Sequence, residues 1–332
     1  MSSMVDVIDA LPLDDGAVTR LRARHGEHCT PLAFLLVRPD AVRQGLSWAI
    51  LDELRREGLT PLEIGVVRPH PRQLEELYLS TQIRMAEAGQ RPMWWYMPRY
   101  YELAPAVAVL LTGGPNETGA AERLTVLKGP ANPAQTRPGQ LRYRYRSQNM
   151  LMSIVHSSED ADSAIREACL FFGEQRVDEA ISRRCPAVLD AAEIPAVPAM
   201  LPTFHQIVAA TQIALLDRLQ PRIECRREAV MVRTALQQAH GGDLTDPVYR
   251  RRTRALRAPW RYASPLREEL SSRRDPESVY LTWSMQMSQT AATFGDGVVD
   301  HLRNLRVDLD DWAETVLVSG WGFHSLIERT GP

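Results

Sequence analysis

One histidine stands between an apolar run and a polar helix start, a position suited to phosphate chemistry. The run LMSIV ends at His156, and residues 157–160 lead into an amphipathic segment that continues to Phe172. A helix N-terminus offers free N–H groups and a positive dipole end, and neutral imidazole attacks phosphorus well near pH 7. Glu167, eleven residues on, is the natural carboxylate to orient the ring. A lone histidine can also simply pack at a strand end, so the rest of the chain must decide.

Composition restricts the class of protein and its partners. The 332 residues are 44% hydrophobic and 24% charged, which is typical of a soluble globular chain of about two domains. The net charge of −2 gives no electrostatic case for nucleic acid or an anionic membrane as partner. Four separated cysteines, the lack of a signal-peptide pattern and the lack of a membrane-length apolar run predict a cytoplasmic location.

The basic residues are almost all arginine. Lys128 is the one lysine among the 39 basic residues, which indicates a biased composition. Arginine is therefore expected at positions where other proteins use lysine to hold phosphate.

The order of predicted elements indicates the fold of the first half. Buried strands are predicted at 31–38, 59–70, 106–111 and the run that ends at His156; helices are predicted at 40–58, 71–88, 117–127 and 161–172. The alternating segment 141–148 is predicted to be a loop. This order predicts an α+β fold, a ferredoxin-like split βαβ antiparallel sheet with helices. No glycine-rich phosphate loop occurs, so any nucleotide must be held by arginines and helix ends.

The second half has helical patterns and no catalytic constellation. Helices are predicted at 203–219, 223–240, 250–257, 278–294 and 308–327, the last of them interrupted near Gly320 and Gly322. The predicted organisation is an extension at 1–30, an α/β domain at 31–180, a proline-rich linker at 181–202 and an all-α domain at 203–332. The role of the last domain, through a protein or a substrate partner, is open.

Three separated segments resemble the nucleoside diphosphate kinase family. They are LLVRPDAVRQGL at 35–46, NPAQTRPGQLR at 132–142 and SIVHSSEDADSAIREACLFF at 153–172. Their order and separations are similar to the family's KPD strand end, its NPA turn and its histidine segment, and the resemblance covers roughly residues 31–175.

The resemblance implies a phosphotransferase that uses ATP and nucleotide-bound Mg²⁺ and assembles as a homo-oligomer. In the family a histidine takes the γ-phosphate of a nucleoside triphosphate and passes it to a diphosphate. The catalytic residues implied by matching position are His156, Glu167, Ser158, Arg38 and Tyr78. The nucleotide-binding residues implied in the same way are Arg142, Arg123 and Ser153. No dedicated metal site is expected, because the family holds Mg²⁺ through the nucleotide phosphates.

Several positions depart from the family pattern. Arg38 stands for the lysine of KPD, Ala131 for a threonine, Ser153 for an asparagine and Ser157 for a glycine. Two hypotheses follow. The chain is either a phosphotransferase acting on a nucleoside diphosphate or a related acceptor, or a weakened nucleotide sensor that signals through its helical half. Retention of the histidine and the glutamate favours the enzyme, and the altered contacts favour the sensor.

Overall fold

A four-stranded antiparallel sheet forms the centre of the first compact unit. The structure is a computed structural model that describes residues 15–87, 94–114, 119–187, 199–286 and 297–329. The strands are β1 (Leu32–Val37), β2 (Thr60–Val67), β3 (Ala106–Thr112) and β4 (Val155–Ser157), in the order β2-β3-β1-β4. All six residues of β1 are buried, because this strand lies inside the sheet and packs on both faces. The predicted ferredoxin-like α/β fold is confirmed.

Helices of the first unit connect and cover the strands. They are α1 (Asp15–His25), α2 (Pro39–Arg43), α3 (Ser47–Arg56), α4 (Pro71–Glu87), α5 (Met97–Glu102), α6 (Ala120–Lys128), α7 (Leu141–Arg144), α8 (Ala161–Phe172) and α9 (Glu174–Arg183). Short 3₁₀ turns cover Gly26–Cys29 and Trp94–Tyr96. The single helix predicted at 40–58 is two helices, because Gly45 takes the left-handed conformation with φ +70° and ends the first of them.

The prediction of a loop at 141–148 is wrong for the first part of this segment. Residues Leu141–Arg144 form the short helix α7. Leu141 and Tyr145 are four residues apart and both pack against the main core cluster. Helical spacing brings both side chains to this cluster, whereas strand-like alternation is not needed. The alternation of arginine with apolar residues is therefore compatible with a helix when one arginine is itself buried, as Arg142 is.

The N-terminal extension supplies an ordered helix to the first unit. Arg20 of α1 makes a double hydrogen bond to Glu174 of α9, and His25 lies 2.7 Å from a carboxylate oxygen of Asp178. Half of the predicted linker lies outside the described residues, which omit 188–198. The predicted domain boundaries stay a prediction.

The second compact unit is largely helical. It comprises residues 201–332 together with 130–136 and 146–152. Its helices are α10 (Phe204–Leu219), α11 (Arg226–Gly241), α12 (Tyr249–Arg261), α13 (Ser264–Ser272), α14 (Pro276–Gln286), α15 (Val298–Asn304) and α16 (Asp311–Arg329), with 3₁₀ turns at Gln220–Arg222 and Asp243–Thr245. Thr203 and Gln206 form a complete capping box, which fixes the start of α10 where the sequence predicts it.

The last helix differs from its prediction. Residues Asp311–Arg329 form one unbroken helix through Gly320 and Gly322. Among the described helices, none combines the length and the apolar character that a membrane crossing requires.

Candidate active site

The strand that carries His156 is fixed by an unusual backbone conformation just before it. Ile154 has φ +70°, which is rare for a β-branched residue and costs about 1–3 kcal/mol. Its N–H donates to the Asp40 carboxylate over 3.2 Å, and its carbonyl accepts the N–H of Arg38 over 2.9 Å. Tyr100 donates its hydroxyl proton to the other oxygen of Asp40 over 2.6 Å. These contacts fix the direction of β4. His156 pairs with Leu36 of β1 and lies in the edge strand of the sheet.

The ring of His156 is oriented by Glu167. The imidazole Nε2 lies 2.9 Å from a carboxylate oxygen of Glu167, a buried residue of α8. When Nε2 carries the proton and donates it to this carboxylate, the lone pair is on Nδ1. The edge of the Tyr78 ring lies across the imidazole, with ring centroids 5.2 Å apart. In this arrangement Nδ1 is the ring nitrogen whose lone pair is available.

The electrostatic surroundings keep His156 neutral. Burial is the largest influence and lowers the pKa of the imidazole, and the positive charges of Lys128 and Arg38 lower it further. Glu167 opposes them and raises it. The net pKa lies below the ordinary value, so the ring is a free base at neutral pH and can attack an electrophile.

Arg38, Ser153 and Tyr78 form a buried polar group beside the histidine. Arg38 donates a hydrogen bond from Nη1 to the Ser153 hydroxyl over 2.9 Å and another from Nη2 to the Tyr78 hydroxyl. The guanidinium carbon of Arg38 lies 5.2 Å from the centroid of the Tyr78 ring. The Tyr78 hydroxyl also lies 3.1 Å from that of Tyr101. With Glu167, the structure thus brings together five of the predicted residues, His156 included.

Arg142 is engaged by the backbone. Its guanidinium donates to the carbonyls of Gly129, Ser153 and Val155 over 2.7–3.0 Å and to the Ser153 hydroxyl over 3.3 Å. Burial and the charge of Arg38 lower its pKa to about 9. In this arrangement Arg142 holds the end of α6 to the strand of the histidine, and most of its N–H groups are already used. Its predicted contact with nucleotide stays a prediction.

Two other predicted residues make contacts elsewhere. The hydroxyl of Ser158 accepts the N–H of Phe34 over 3.0 Å, so it extends the pairing of β4 with β1. Arg123 donates to the carbonyl of Glu57 at the end of α3. In these contacts Ser158 stabilises the pairing of two strands, and the side chain of Arg123 lies against the end of α3. Their predicted roles in catalysis and nucleotide binding are untested.

Sequence reasoning missed three side chains of this site. Asp40 and Tyr100 are visible only as part of a motif and an aromatic cluster, because their contact joins residues 60 positions apart. Lys128 stands out in composition as the one lysine, but its contact with the hydroxyl of Ser157 in β4 depends on the packing of α6 on the sheet. No group of three His, Cys, Asp or Glu suited to a metal ion occurs among the residues that the structure describes.

We expect the pKa of His156 to fall by about one or more in Glu167→Gln, because the carboxylate charge that favours the imidazolium is removed while the hydrogen-bond acceptor stays. An NMR titration of ¹⁵N-labelled histidine measures this. The control is Glu159→Gln, which removes an exposed carboxylate that pairs with Arg84 over 2.8 Å. An equal His156 titration in wild type and Glu167→Gln would contradict the assigned orientation.

Comparison with known proteins gives one consistent family. A family model described as nucleoside diphosphate kinase matches residues 32–177. The nucleoside diphosphate kinase of Exiguobacterium sp. is 30% identical over 141 residues, which are 42% of this chain and 93% of that protein. The nucleoside diphosphate kinase of Archaeoglobus fulgidus is 28% identical over 144 residues, which are 43% of this chain and 87% of that protein.

A solved structure is similar to a part of the chain of comparable length. The apo crystal structure of nucleoside diphosphate kinase from Encephalitozoon cuniculi is 24% identical, covers 43% of this chain and 89% of its own, and has a TM-score of 0.38. The C-terminal helical part matches no family model.

Proposed function

The chain belongs to the nucleoside diphosphate kinase family, and we propose that it transfers a phosphoryl group through His156. The observation that carries the proposal is the 2.9 Å contact between Nε2 of His156 and Glu167. It leaves Nδ1 as the free base of a neutral, partly exposed ring. The buried carboxylate fixes the tautomer and the orientation of the ring, which a nucleophilic nitrogen requires.

The transfer is a double displacement with a covalent intermediate. The Nδ1 lone pair of His156 attacks the γ-phosphorus of a nucleoside triphosphate, an N–P bond forms, and the P–O bond to the β-phosphate breaks. The nucleoside diphosphate leaves with that electron pair. A second diphosphate then attacks the phosphohistidine, and the N–P electron pair returns to Nδ1. The carboxylate of Glu167 accepts the hydrogen bond from Nε2–H throughout and stabilises the positive charge that develops on the ring.

Positive charge around the histidine supports binding of a phosphate chain. Arg38, Arg142 and Lys128 all influence the titration of groups at this site, so a phosphoryl dianion would meet a basic environment. Mg²⁺ enters with the nucleotide as part of the substrate, bound to its phosphates. The acceptor is a nucleoside diphosphate or a related phosphate compound.

A weakened nucleotide sensor is the second candidate, and one observation favours it. Arg142 donates to three backbone carbonyls and Arg38 to two hydroxyls, so both phosphate-binding candidates are engaged by the protein itself. In that case nucleotide binds without leaving a phosphoryl group on the chain, and the domain at 203–332 transmits the signal.

Phosphoenzyme formation separates the two candidates. The full chain is incubated with γ-³²P-labelled ATP and Mg²⁺, and the label is tested for the acid lability and base stability of a phosphohistidine. The labelled protein is then chased with a panel of nucleoside diphosphates. Label that forms and moves to diphosphates supports the kinase. Absence of label despite measurable ATP binding would overturn it and favour the sensor.

A further inference from the structure

A cleft lined by arginines lies among three helices of the second unit. Its volume is about 650 Å³, which is within the range of small-molecule binding sites. Helices α12, α13 and the end of α14 line it, and the residues that bear on its chemistry are Arg257, Trp260, Arg261, Arg267, Glu268 and Met285. All of them lie in the helical unit, outside the family-matched residues 32–177.

The charge of this cleft is predominantly positive. Arg257 and Arg261 are four residues apart, so both side chains leave α12 on the same face. Arg267 adds a third guanidinium from α13, and Glu268 next to it is the one acidic residue among the described residues that line the cleft. Like charges at the spacing of Arg257 and Arg261 repel each other along a helix. The arrangement is therefore unfavourable until an anion occupies the cleft.

The protein itself does not neutralise these three arginines. Among the residues that the structure describes, no carboxylate lies within ion-pair distance of their guanidinium groups, that of Glu268 included. By contrast, Arg251 of the same helix lies 3.4 Å from a carboxylate oxygen of Asp246. The Nε atom of Arg257 is buried and has no hydrogen-bond partner within the described part of the chain. A buried N–H group without an acceptor is costly, and a bound anion is the acceptor that this guanidinium lacks.

The cleft also has an apolar lining. The side chain of Trp260 is buried, and its indole N–H donates to the side-chain oxygen of Gln212 over 3.1 Å. Because the one polar group of the indole is already used, the ring offers only carbon atoms to a ligand. Met285 contributes a flexible thioether, which adapts to ligands of irregular shape. A ligand that combines several negative charges with an apolar body matches both parts of the lining.

We propose that this cleft is a binding site for a polyphosphate group, built from residues other than those around His156. A guanidinium group binds phosphate oxygens through paired N–H donors and keeps its charge at any physiological pH, so three of them suit a multiply charged chain. The apolar lining by Trp260 and Met285 favours a nucleoside di- or triphosphate over inorganic polyphosphate as the carrier of this group. Binding is noncovalent and stands whether or not His156 accepts a phosphoryl group.

Hydrogen exchange in the full chain measures binding at this cleft separately from binding near His156. Peptides that cover α12 and α13 report on the cleft, and peptides that cover β4 and α8 report on the histidine. We expect ATP to slow exchange in α12 and α13 with a saturable dependence on its concentration, and adenosine to leave this exchange unchanged. Protection by adenosine equal to that by ATP would overturn the proposal. Protection by ATP confined to β4 and α8 would overturn it as well and leave the proposed function intact.

Inorganic tripolyphosphate distinguishes the two carriers of a polyphosphate group. Tighter binding of ATP than of tripolyphosphate, measured by the protection of α12 and α13, identifies a nucleotide whose nucleoside contacts the apolar lining. Equal binding of the two identifies inorganic polyphosphate as the ligand. Absence of protection by both compounds at millimolar concentration would refute the site.

Removal of single charges tests the arginines. We expect Arg257→Gln and Arg267→Gln each to weaken binding of ATP at the cleft about tenfold or more, because each removes a charge-assisted donor. The matched control is Arg254→Gln, an exposed position of α12 that does not line the cleft. It should weaken binding less than about threefold, since its charge acts only through screened solvent. Unchanged exchange in α10 shows that the variants stay folded. Equal affinity of wild type and the Arg257→Gln, Arg267→Gln double variant would contradict the assigned site.

Discussion

Replacement of His156 by alanine should abolish phosphoryl transfer. Removal of a covalent nucleophile typically lowers turnover by at least about four orders of magnitude. The loss follows from geometry, because the atom that would bond to phosphorus is the free Nδ1 of a ring whose other nitrogen is held by Glu167. Nucleotide binding should persist, since Arg38 and Tyr78 stay in place. Coupled-enzyme turnover, ³²P labelling and calorimetric ATP binding on the same preparation measure the three quantities.

The control for this variant is His28→Ala, which removes an exposed histidine from the 3₁₀ turn before β1. Added imidazole should restore part of the activity of His156→Ala, because it occupies the vacated space and supplies a neutral nitrogen base. Retained labelling of His156→Ala would place the phosphoryl group on another residue and refute the proposed route. Loss of ATP binding together with turnover would indicate a structural effect, which the imidazole test separates from a chemical one.

The contact between His156 and Glu167 was expected from the sequence, because the two residues lie only eleven positions apart across a strand end and a helix start. Periodicity alone could not place Glu167 at the ring, and the packing of α8 on the sheet brings the two side chains together. Tyr78, Arg38 and Ser153 could be predicted only through the resemblance, since they come from three separate elements. The position of Arg123 near Glu57 depends on how α6 packs against α3, which no local pattern specifies.

The supporting contacts of the site were not predictable for a related reason. Asp40 satisfies the N–H of Ile154, and that residue has a backbone conformation that a β-branched side chain avoids when isolated. The sequence carries no local signal for such a strain, because the surrounding tertiary contacts maintain it. The same holds for the burial of Lys128, whose contact with Ser157 depends on how α6 packs on the sheet and not on its neighbours in sequence.

The helical half provides the clearest case in which a local rule misleads. Gly320 and Gly322 each lower helix propensity by about 1 kcal/mol, which predicts a break in α16. The helix continues because Gly320 allows the ring of Phe204 in α10 to pack against its backbone. A Cβ atom at position 320 would lie within 2.8 Å of three ring carbons of Phe204, which is fully buried. The close approach of two helices thus outweighs the propensity cost.

We expect Gly320→Ala to destabilise the helical unit by about 2–3 kcal/mol, because the buried Phe204 ring must move and it packs edge-to-face on Trp321 at 5.0 Å. Gly322→Ala, an exposed position two residues along the same helix, should instead stabilise it by up to about 1 kcal/mol. Hydrogen exchange of peptides from α10 and α16, read by mass spectrometry, reports the local opening free energy in the full chain. Opposite signs for one chemical change at two neighbouring sites would identify packing as the cause. Stabilisation at both sites would mean that propensity governs α16 and that Phe204 yields without cost.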